Sequence, residues 1–417
     1  MSTLYRASWI LPITAPPNRD GWILVDHGQI VAVGSGTAPR AEHDVTLGHV
    51  AVLPGLVNAH THLELSWMRA RIAPAARMPD WIRALIALRR EVHRDDPLAM
   101  AAAVADVRRA GTSIVGDVTN TLASVHALSA SPMRACIFYE LLGFNHPTPQ
   151  ARVADAAAMV RDVNGRNAAD LLGPRLDFGP RIRASVAPHA PYSVSPALFR
   201  EIAALATRER WTLSVHLAES AEEIEFLRTG TGAWRELLEL VGVWTEDWRV
   251  PGTGPLEYLE SFGALTSRTL VVHGVQLTDT ELSRVAEAGA TIVSCPRSNR
   301  WVGAGDPPVS RFFASGARIA LGTDSLASCP DLNLFQELAA VRRLAPEVPA
   351  SRLLHSATLA GAEALGFDDH GAIETGRRAD LLAVDVPDGT SDVEEYLCSG
   401  IRPDAVRWLG SGLESGN

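Results

Sequence analysis

The chain has 417 residues, 47% of them hydrophobic, and this length and composition are sufficient to bury a large core. Its formal net charge of −10, without any basic run, argues against the clustered positive charge that binds nucleic acid. All 38 basic residues are arginines. Because lysine is absent, a P-loop lysine, a Schiff-base lysine and a carboxylated-lysine metal bridge are excluded.

The N-terminal apolar stretch is short and broken by prolines, and no later run approaches the length of a membrane span. The four cysteines are far apart in the sequence and have no paired spacing; they are Cys136, Cys295, Cys329 and Cys398. We therefore expect an enzyme-sized cytoplasmic protein with reduced thiols that binds neither nucleic acid nor membrane.

The first predicted elements lie in residues 21–34, GWILVDHGQIVAVG, where alternating apolar residues and glycine turns indicate a β-hairpin. Residues 371–386, GAIETGRRADLLAVDV, have the same pattern and predict a second hairpin. A hairpin has too few strands to bury a face alone, so we expect the two ends of the chain to pair. The prediction is a small β-sandwich domain made of residues 1–53 and 368–417, beside a catalytic domain of residues 54–367.

Between these ends, eight short apolar runs alternate with amphipathic helical segments. The runs cover residues 51–62, 112–118, 133–141, 182–191, 211–220, 269–275, 291–299 and 318–325. Such alternation is typical of repeated βα units and predicts an α/β fold, a (β/α)8 TIM-like barrel with parallel strands. Residues 241–255, rich in proline, glycine and tryptophan, are predicted to form a long loop after the fifth strand that can cover the site.

Almost every run acquires a histidine or an acidic residue only at its end. These residues are His60, His62, Asp117, Glu140, His189, His216, His273 and Asp324. Barrel enzymes assemble their active sites from the C-terminal ends of different strands, which meet at one mouth. The pattern therefore predicts an active site at this face of the barrel.

His60 and His62 are separated by one residue at the end of an apolar strand, so strand geometry puts both side chains on one face. Two imidazoles can then bind one metal ion. His216 and Asp324 can complete a site of three histidines and one carboxylate that is open to water. We predict one divalent cation, Zn2+ or Fe2+, at this position.

Glu219 and His273 are predicted to be catalytic. Glu219 follows His216 by three residues, where the chain turns over the barrel mouth. The alternative for Glu219 is a surface carboxylate at a helix start, which the helix dipole favours. His273 ends its strand in the same way as the metal ligands, and its alternative is a buried structural histidine. The neighbouring metal site favours the catalytic interpretation for both.

The motifs NAHTHLEL, APHAPYS, SVHLAES, LVVHGV, CPRSN and LGTDS together resemble the amidohydrolase superfamily over nearly the whole chain. Three of them, APHAPYS, HLAES and CPRSN, are similar to its branch of deaminases and chlorohydrolases. That branch contains S-adenosylhomocysteine, methylthioadenosine, aminofutalosine and guanine deaminases and triazine hydrolases. The resemblance implies a site with these roles: metal ligands His60, His62, His216 and Asp324; catalytic residues Glu219, His273 and Asp324; and a substrate contact from His189.

The resemblance also implies one metal ion. Members with two ions commonly carry a carboxylated lysine after strand four, and this chain has APHAP there and no lysine. The alternative is that Glu140 bridges two ions. A bound cation lowers the pKa of its water from about 16 toward about 7. Asp324 and His273 would then take the water proton, while Glu219 protonates a ring nitrogen and later passes a proton to departing ammonia.

Residues 63–72, LELSWMRARI, bear on the substrate. They depart from S-adenosylhomocysteine and methylthioadenosine deaminases and look closer to aminofutalosine deaminases of menaquinone synthesis, whose substrate is an adenine nucleoside bearing a benzoate. Under this resemblance Glu64 holds ribose hydroxyls, and Arg297 or Arg300 binds the carboxylate bidentately. The alternative for both arginines is a charge on a helix surface.

Other functions stay open. The same mechanism could act on S-adenosylhomocysteine, methylthioadenosine, guanine or a triazine, the last as an amino- or chlorohydrolase. A catalytically silent, amidohydrolase-like assembly subunit is the alternative outside enzymes. Hydrolysis of an amide ring is disfavoured because Glu219 suits proton delivery to an aromatic nitrogen. We expect a small-molecule substrate and a homodimer.

Overall fold

The chain forms two β-sheets in our computed structural model, which describes residues 1–92, 96–169 and 181–410. The strands in this range are β1 (Ser2–Ile10), β2 (Asn18–Asp26), β3 (Gln29–Ser35), β4 (His43–Thr46), β5 (Val50–Pro54), β6 (Leu56–Thr61), β7 (Thr112–Thr119), β8 (Arg134–Leu141), β9 (Ile182–Pro188), β10 (Leu213–Leu217), β11 (Thr269–His273), β12 (Thr291–Ser294), β13 (Arg318–Leu321), β14 (Leu381–Asp385) and β15 (Val406–Leu409). An eight-stranded parallel sheet takes β6 to β13 in chain order. The other seven strands form a mixed sheet.

The parallel sheet closes on itself beside the ends of its first and last strands. Thr61 makes a parallel bridge with Asp324, and the backbone N–H groups of Thr323 and Asp324 both donate to the carbonyl of His60 at 3.1 Å. β7 and β8 are buried at every residue, as expected for parallel strands covered on both faces. The predicted (β/α)8 barrel is confirmed, and each of the eight predicted runs contains one of its strands.

Helices follow the barrel strands along the chain. They are α1 (Met78–Glu91), α2 (Pro97–Arg109), α3 (Ser124–Ser129), α4 (Pro149–Ala169), α5 (Pro196–Glu209), α6 (Ala221–Thr229), α7 (Ala233–Leu240), α8 (Pro255–Glu260), α9 (Asp279–Glu287), α10 (Pro296–Val302), α11 (Val309–Ala314), α12 (Leu334–Leu344), α13 (Ala350–Ser356), α14 (Leu359–Ala364) and α15 (Val393–Leu397), with 3-10 helices at Leu63–Met68 and Pro403–Ala405. Polar caps start several of them. Before α9, for example, Thr278 and Glu281 form a reciprocal capping box.

The mixed sheet joins the two ends of the chain in the strand order β15, β14, β5, β1, β2, β3, with β4 beside β1. The predicted N-terminal hairpin is confirmed. β2 and β3 are joined by His27 and Gly28, which both have positive φ, as a two-residue hairpin turn requires. The predicted hairpin in residues 371–386 is wrong, because only Leu381–Asp385 forms a strand. It pairs with the distant β5 and β15 instead of a neighbour in sequence.

The first apolar run, residues 51–62, divides between the two sheets. β5 belongs to the mixed sheet and β6 to the barrel, with Gly55 between them. A Cβ on Gly55 would lie 2.6 Å from the Cβ of Ser113, so the chain passes too close to β7 for any larger residue. The boundaries 1–53 plus 368–417 and 54–367 stay a proposal, and residues 411–417 lie outside the described residues.

In the described part of the chain, every helix falls short of the length or the apolar character needed to cross a lipid bilayer.

Candidate metal centre

Histidines from the barrel strands β6 and β10 and an aspartate that follows β13 meet at the C-terminal ends of the sheet. The ring centroid of His60, in β6, lies 4.9 Å from those of His62 and His216, and the last two are 5.4 Å apart. Asp324, three residues after the end of β13, points its carboxylate at the same cluster. All four side chains are buried. The structure therefore brings the four predicted ligands into one cluster, in which His60, His62 and Asp324 have ligand atoms within 4.8 Å of one another and His60 and His216 form a second such group with His273.

The distances within this cluster suit a shared cation better than hydrogen bonds. The Oδ1 of Asp324 lies 3.7 Å from His60 Nε2 and 3.5 Å from His62 Nε2, beyond the usual hydrogen-bond length. Nitrogen and oxygen ligands at about 2.0–2.2 Å from a tetrahedral zinc ion are roughly 3.3–3.6 Å apart. The two distances to Asp324 Oδ1 are close to this spacing.

Several buried nitrogens in the cluster have no partner. Both ring nitrogens of His60 and the Nε2 of His216 are buried without a hydrogen bond. An unpaired buried polar atom is costly, and a metal ion would remove that cost. Burial lowers the pKa of His60 and lowers that of His62 to about 3, which keeps both imidazoles neutral as ligation requires. The donor set therefore fits a divalent cation.

A second set of side chains fixes Asp324. Its Oδ2 accepts hydrogen bonds from Ser298 Oγ at 2.5 Å and Ser328 Oγ at 2.9 Å, which leaves Oδ1 facing the histidines. Its pKa lies well below the usual value, because the nearby histidines outweigh the opposing effect of burial. The residue has φ of 59°, in the left-handed region that non-glycine residues rarely adopt. The sequence analysis did not identify these positioning contacts.

His216 and His273 are linked through their ring nitrogens. His216 Nδ1 lies 2.9 Å from His273 Nε2, and His273 Nδ1 lies 2.9 Å from the side-chain amide of Asn299. A free lone pair on His216 Nε2 requires the proton on Nδ1, which then donates to His273 Nε2. His273 Nδ1 then carries a proton and needs an acceptor. The Asn299 Oδ1, which is buried without a partner, becomes that acceptor when the amide rotates by 180°.

Glu219 lies beside the histidine cluster and is 3% exposed. Its Oε1 is 3.5 Å from His273 Nε2, and burial raises the pKa of the carboxyl to about 8. The backbone N–H of Glu219 donates to Glu223 Oε2 at 2.9 Å, so a second buried glutamate holds the turn that presents it. The surface position at a helix start is excluded for Glu219. The sequence analysis missed the role of Glu223.

Glu140 and His189 extend the cluster on the other side of His216. Glu140 Oε1 is 3.6 Å from His216 Nε2 and has no hydrogen bond, while Oε2 accepts from Asn120 Nδ2 at 2.8 Å. The pKa of His216 is raised: burial lowers it, but its contact with Glu140 outweighs that effect. The ring of His189 is 5.0 Å from that of His216. Glu140, His189 and His216 could also hold an ion together, so the geometry leaves the two-metal alternative open.

Glu64 lines the cavity and also fixes the loop after β7. Its Oε2 accepts four hydrogen bonds, from Thr119 Oγ1 at 2.6 Å, the Asn120 N–H at 3.0 Å and both the N–H and Oγ1 of Thr121 at 3.3 and 3.1 Å. One carboxylate oxygen is therefore committed to the protein.

Arg297 and Arg300 do not line the cavity. The Nε of Arg297 donates to Glu337 Oε1 at 2.7 Å, and its Nη1 and Nη2 each donate to Asp331 Oδ1 at 2.9 Å. Arg300 is exposed and pairs with Asp306. The predicted contact of Arg297 and Arg300 with a substrate carboxylate does not hold in this structure. Both residues lie on α10, and their guanidinium groups bind acidic residues of the protein instead.

A cavity of about 430 Å³ leads to the cluster. Its polar floor includes His62, His216, Glu219 and Asp324, and His189 also lines it. The rest of the lining is mainly apolar and comes from α1, α7 and the segments 142–144 and 241–243. Residues 241–254 form the predicted loop, although it follows α7 instead of the fifth strand directly. The site is a polar floor beneath an apolar wall.

The chain matches a model of the Amidohydrolase family over residues 51–403. It belongs to this family. This amidohydrolase is 32% identical to a 5-methylthioadenosine/S-adenosylhomocysteine deaminase of Nitratidesulfovibrio vulgaris over 383 residues, 88% of this chain and 80% of the relative. It is 33% identical to an aminodeoxyfutalosine deaminase of Deinococcus radiodurans over 330 residues, 76% of this chain and 73% of the relative.

Solved structures have the same fold. An adenosine deaminase from Xanthomonas campestris with bound zinc has a TM-score of 0.79 at 27% identity, over 97% of this chain and 90% of that one. An aminofutalosine deaminase from Helicobacter pylori in complex with methylthio-coformycin has a TM-score of 0.81 at 24% identity, over 95% of each chain. The family and the sequence relatives together identify this amidohydrolase as a hydrolytic deaminase.

Proposed function

We propose that this amidohydrolase is a single-metal aminodeoxyfutalosine deaminase of menaquinone biosynthesis. It would convert an adenine-type nucleoside bearing a benzoate to the hypoxanthine product and ammonia. The observation that carries the deamination is the pairing of a buried Glu219 carboxyl, whose pKa is raised to about 8, with unpartnered histidine nitrogens, and the 33% identity to an aminodeoxyfutalosine deaminase supports the substrate. Deamination of an aromatic ring needs a proton donor for a ring nitrogen and an activated water, and these groups suit both tasks.

In this proposal the cation is held by His60, His62, His216 and Asp324. Bound Zn2+ or Fe2+ supplies an activated water at neutral pH. Ser298 and Ser328 orient the Asp324 carboxylate, and His273 fixes the tautomer of His216 through their 2.9 Å contact. Such outer contacts orient metal ligands and make them more basic.

The protons move through the side chains of Glu219 and Asp324. Glu219 donates its proton to the ring nitrogen beside the amino-bearing carbon, which makes that carbon electrophilic. Asp324 takes a proton from the attacking water, whose oxygen bonds to the carbon, while His273, whose Nε2 accepts from His216 Nδ1, keeps His216 in the tautomer that leaves its Nε2 free. The carbon–nitrogen bond breaks, and the amino group leaves as ammonia. Glu219 takes the second water proton from the oxygen on the carbon and passes it to the departing amino group; the proton held by Asp324 then returns to Glu219, whose first proton stays on the ring.

Two further residues are assigned to the substrate. His189 lies beside His216 on the cavity lining, where it can contact the ring. Burial lowers its pKa to about 4, so a neutral imidazole faces the substrate. Glu64 is assigned to the ribose hydroxyls, because its second oxygen is not used by the loop after β7 and the residue lines the cavity.

A comparison of nucleosides tests the substrate. The purified enzyme is loaded with Zn2+ or Fe2+ and assayed with aminodeoxyfutalosine, methylthioadenosine, S-adenosylhomocysteine and adenosine, by ammonia release and the loss of adenine absorbance. We expect the highest kcat/KM with aminodeoxyfutalosine. A tenfold preference for either of the next two substrates would contradict the proposal. Hydrolysis of guanine or a triazine, but of no adenine nucleoside, would also contradict it.

The second candidate is a methylthioadenosine/S-adenosylhomocysteine deaminase. It is favoured by the 32% identity that extends over 88% of this chain. The proton steps are the same in both cases, so only the group beyond the ribose distinguishes them. A cytoplasmic location and a homodimeric assembly stay predictions.

A further inference from the structure

Three consecutive residues at the start of α10 contact the site or the structure behind it. Ser298 donates to Asp324 Oδ2 at 2.5 Å, and the side-chain amide of Asn299 lies 2.9 Å from His273 Nδ1. Arg297, directly before them, does not line the cavity, and its side chain is 14% exposed. The position of this one short helix therefore determines where two contacts to the site are made.

Arg297 is hydrogen-bonded to two other segments of the chain. Its Nε donates to Glu337 Oε1 at 2.7 Å and its backbone N–H to Glu337 Oε2 at 3.3 Å, so a buried carboxylate of α12 holds the start of α10. On the other side of the guanidinium group, Nη1 and Nη2 each donate to Asp331 Oδ1 at 2.9 Å, and Nη2 also contacts the Asp331 carbonyl and Cys329 Sγ. Asp331 and Cys329 lie between β13 and α12. One side chain thus connects α10 to α12 and to the segment after β13.

The segment after β13 carries the second serine that holds Asp324. Ser328 lies three residues before Asp331 and donates to Asp324 Oδ2 at 2.9 Å, and its hydroxyl oxygen is 2.8 Å from that of Ser298. The two serines belong to different segments, and Arg297 bridges these segments. Because charge-assisted hydrogen bonds from a planar guanidinium group fix geometry, the bridge fixes the distance between the two serines. It therefore also fixes the direction of the Asp324 carboxylate.

We propose that Arg297 is a positioning residue of the metal centre. By bridging α10 to the segment after β13, it holds Ser298 and Ser328 at the spacing that aims Asp324 Oδ1 at the cation. The inference rests on the metal centre of the proposed function. It gives Arg297 control of metal affinity in place of the substrate contact that the sequence suggested. A guanidinium group suits this task because its donors form a rigid fork that reaches acceptors in two directions.

Two variants test the bridge from its two ends. Arg297→Lys keeps a positive charge beside Glu337 but loses the planar fork that spans Glu337 and Asp331. Asp331→Ala breaks the same bridge from the segment after β13, at a side chain that is 48% exposed. The Zn2+ affinity of metal-free protein is measured by competition with a chelator, and the visible spectrum of bound Co2+ reports the geometry of the ligands. Thermal unfolding of the metal-free proteins measures any effect on the fold.

Arg342→Lys is the matched control. Arg342 lies on α12, its side chain is 17% exposed, and it pairs with Glu395. It also donates to three backbone carbonyls in residues 345–348. Arg342 therefore resembles Arg297 in burial and in hydrogen bonding, but these contacts lie away from the serines and from Asp324. A general loss of stability will appear in both arginine variants.

We expect Arg297→Lys to change the Co2+ spectrum and to weaken Zn2+ binding about fivefold, less than the loss of about 10- to 100-fold that follows removal of a direct contact to a ligand. Asp331→Ala should weaken binding in the same way, and Arg342→Lys should bind both metals as the wild type does. Wild-type Zn2+ affinity in both bridge variants, or an equal loss in Arg342→Lys, would overturn the role of Arg297. If the wild type does not bind Zn2+, the metal centre of the proposed function is itself wrong, and the inference is overturned with it.

Discussion

The floor and the wall of the cavity are built from different parts of the barrel. The floor consists of side chains at the ends of β6, β10, β11 and β13. It is held in place by hydrogen bonds, such as the one that Ser298 donates to Asp324 and the one that Glu223 accepts from the backbone of Glu219. The wall consists mainly of apolar side chains from α1, α7 and two loops. In our proposal the residues on the floor perform the chemistry, whereas the wall selects the substrate.

The largest effect should come from removing a floor ligand. His62→Ala is expected to lose bound metal and to reduce kcat below detection, because the activated water is lost. Metal content and ammonia release are measured on the same sample. His43→Ala, which alters an exposed histidine of the mixed sheet, is the control and should keep both. Full activity in His62→Ala would contradict the proposal that the floor residues bind a catalytic metal ion.

Replacing the proton donor should have the next largest effect. Glu219→Gln keeps the size of the side chain but removes its acidic proton, so we expect kcat to fall by a factor of about 10²–10⁴ with metal retained. The control is Glu225→Gln, an exposed position on α6, which should behave as the wild type. Normal turnover by Glu219→Gln would refute the proton transfer.

A smaller loss is expected from the contacts behind the ligands. Ser298→Ala removes the 2.5 Å hydrogen bond to Asp324 Oδ2. That oxygen then keeps the hydrogen bond that Ser328 donates. We expect metal affinity or activity to fall about 10- to 100-fold. Competition with a chelator measures the affinity. If metal affinity and kcat are both unchanged, the hydrogen bond from Ser328 is sufficient to orient Asp324, and the role of Ser298 is contradicted.

The pH dependence should report on Glu219. Burial raises the pKa of its carboxyl to about 8, so the proton-donating form is present below that pH and is lost as the pH rises through it. We expect kcat/KM to fall about tenfold per pH unit above this value. Glu219→Gln should lack this alkaline limb in its residual activity. An alkaline limb that persists unchanged in the variant would assign it to another group.

The smallest effect on the chemical step should come from the wall. Ile86→Ala removes apolar surface from the part of the wall that α1 contributes. We expect KM for an adenosine with an apolar arm to rise about threefold with kcat unchanged, since uniform binding is lost. Unsubstituted adenosine is the control substrate and should be unaffected. A loss confined to kcat would contradict the separation of wall and floor.

The sequence predicted the location of those site residues whose position follows from the local strand pattern. The end of a strand in a barrel always faces the same mouth, so His60, His216 and Asp324 could be placed together from their own runs. It failed for residues whose direction depends on packing. Arg297 follows its strand by only a few residues, yet it faces Glu337 of α12. Nothing in the sequence alone shows which face of α1 borders the cavity.

The same limit applies to backbone pairing and to strain. Residues 371–386 have hairpin-like alternation, but β14 pairs with β5, more than 300 residues earlier in the chain. Ala218, His273 and Asp324 all have positive φ beside the site. None of the three is a glycine, the residue that usually adopts this conformation. Such strain arises from the surrounding structure, which is typical of functional sites.

The number of ions that bind per chain tests the central claim most directly. Metal-free protein is titrated with Zn2+ and the bound metal is counted for the wild type, His60→Ala and Glu140→Gln. We expect one ion in the wild type, none in His60→Ala and one in Glu140→Gln. Two ions in the wild type with one in Glu140→Gln, or one ion retained by His60→Ala, would contradict a single centre held by three histidines and Asp324.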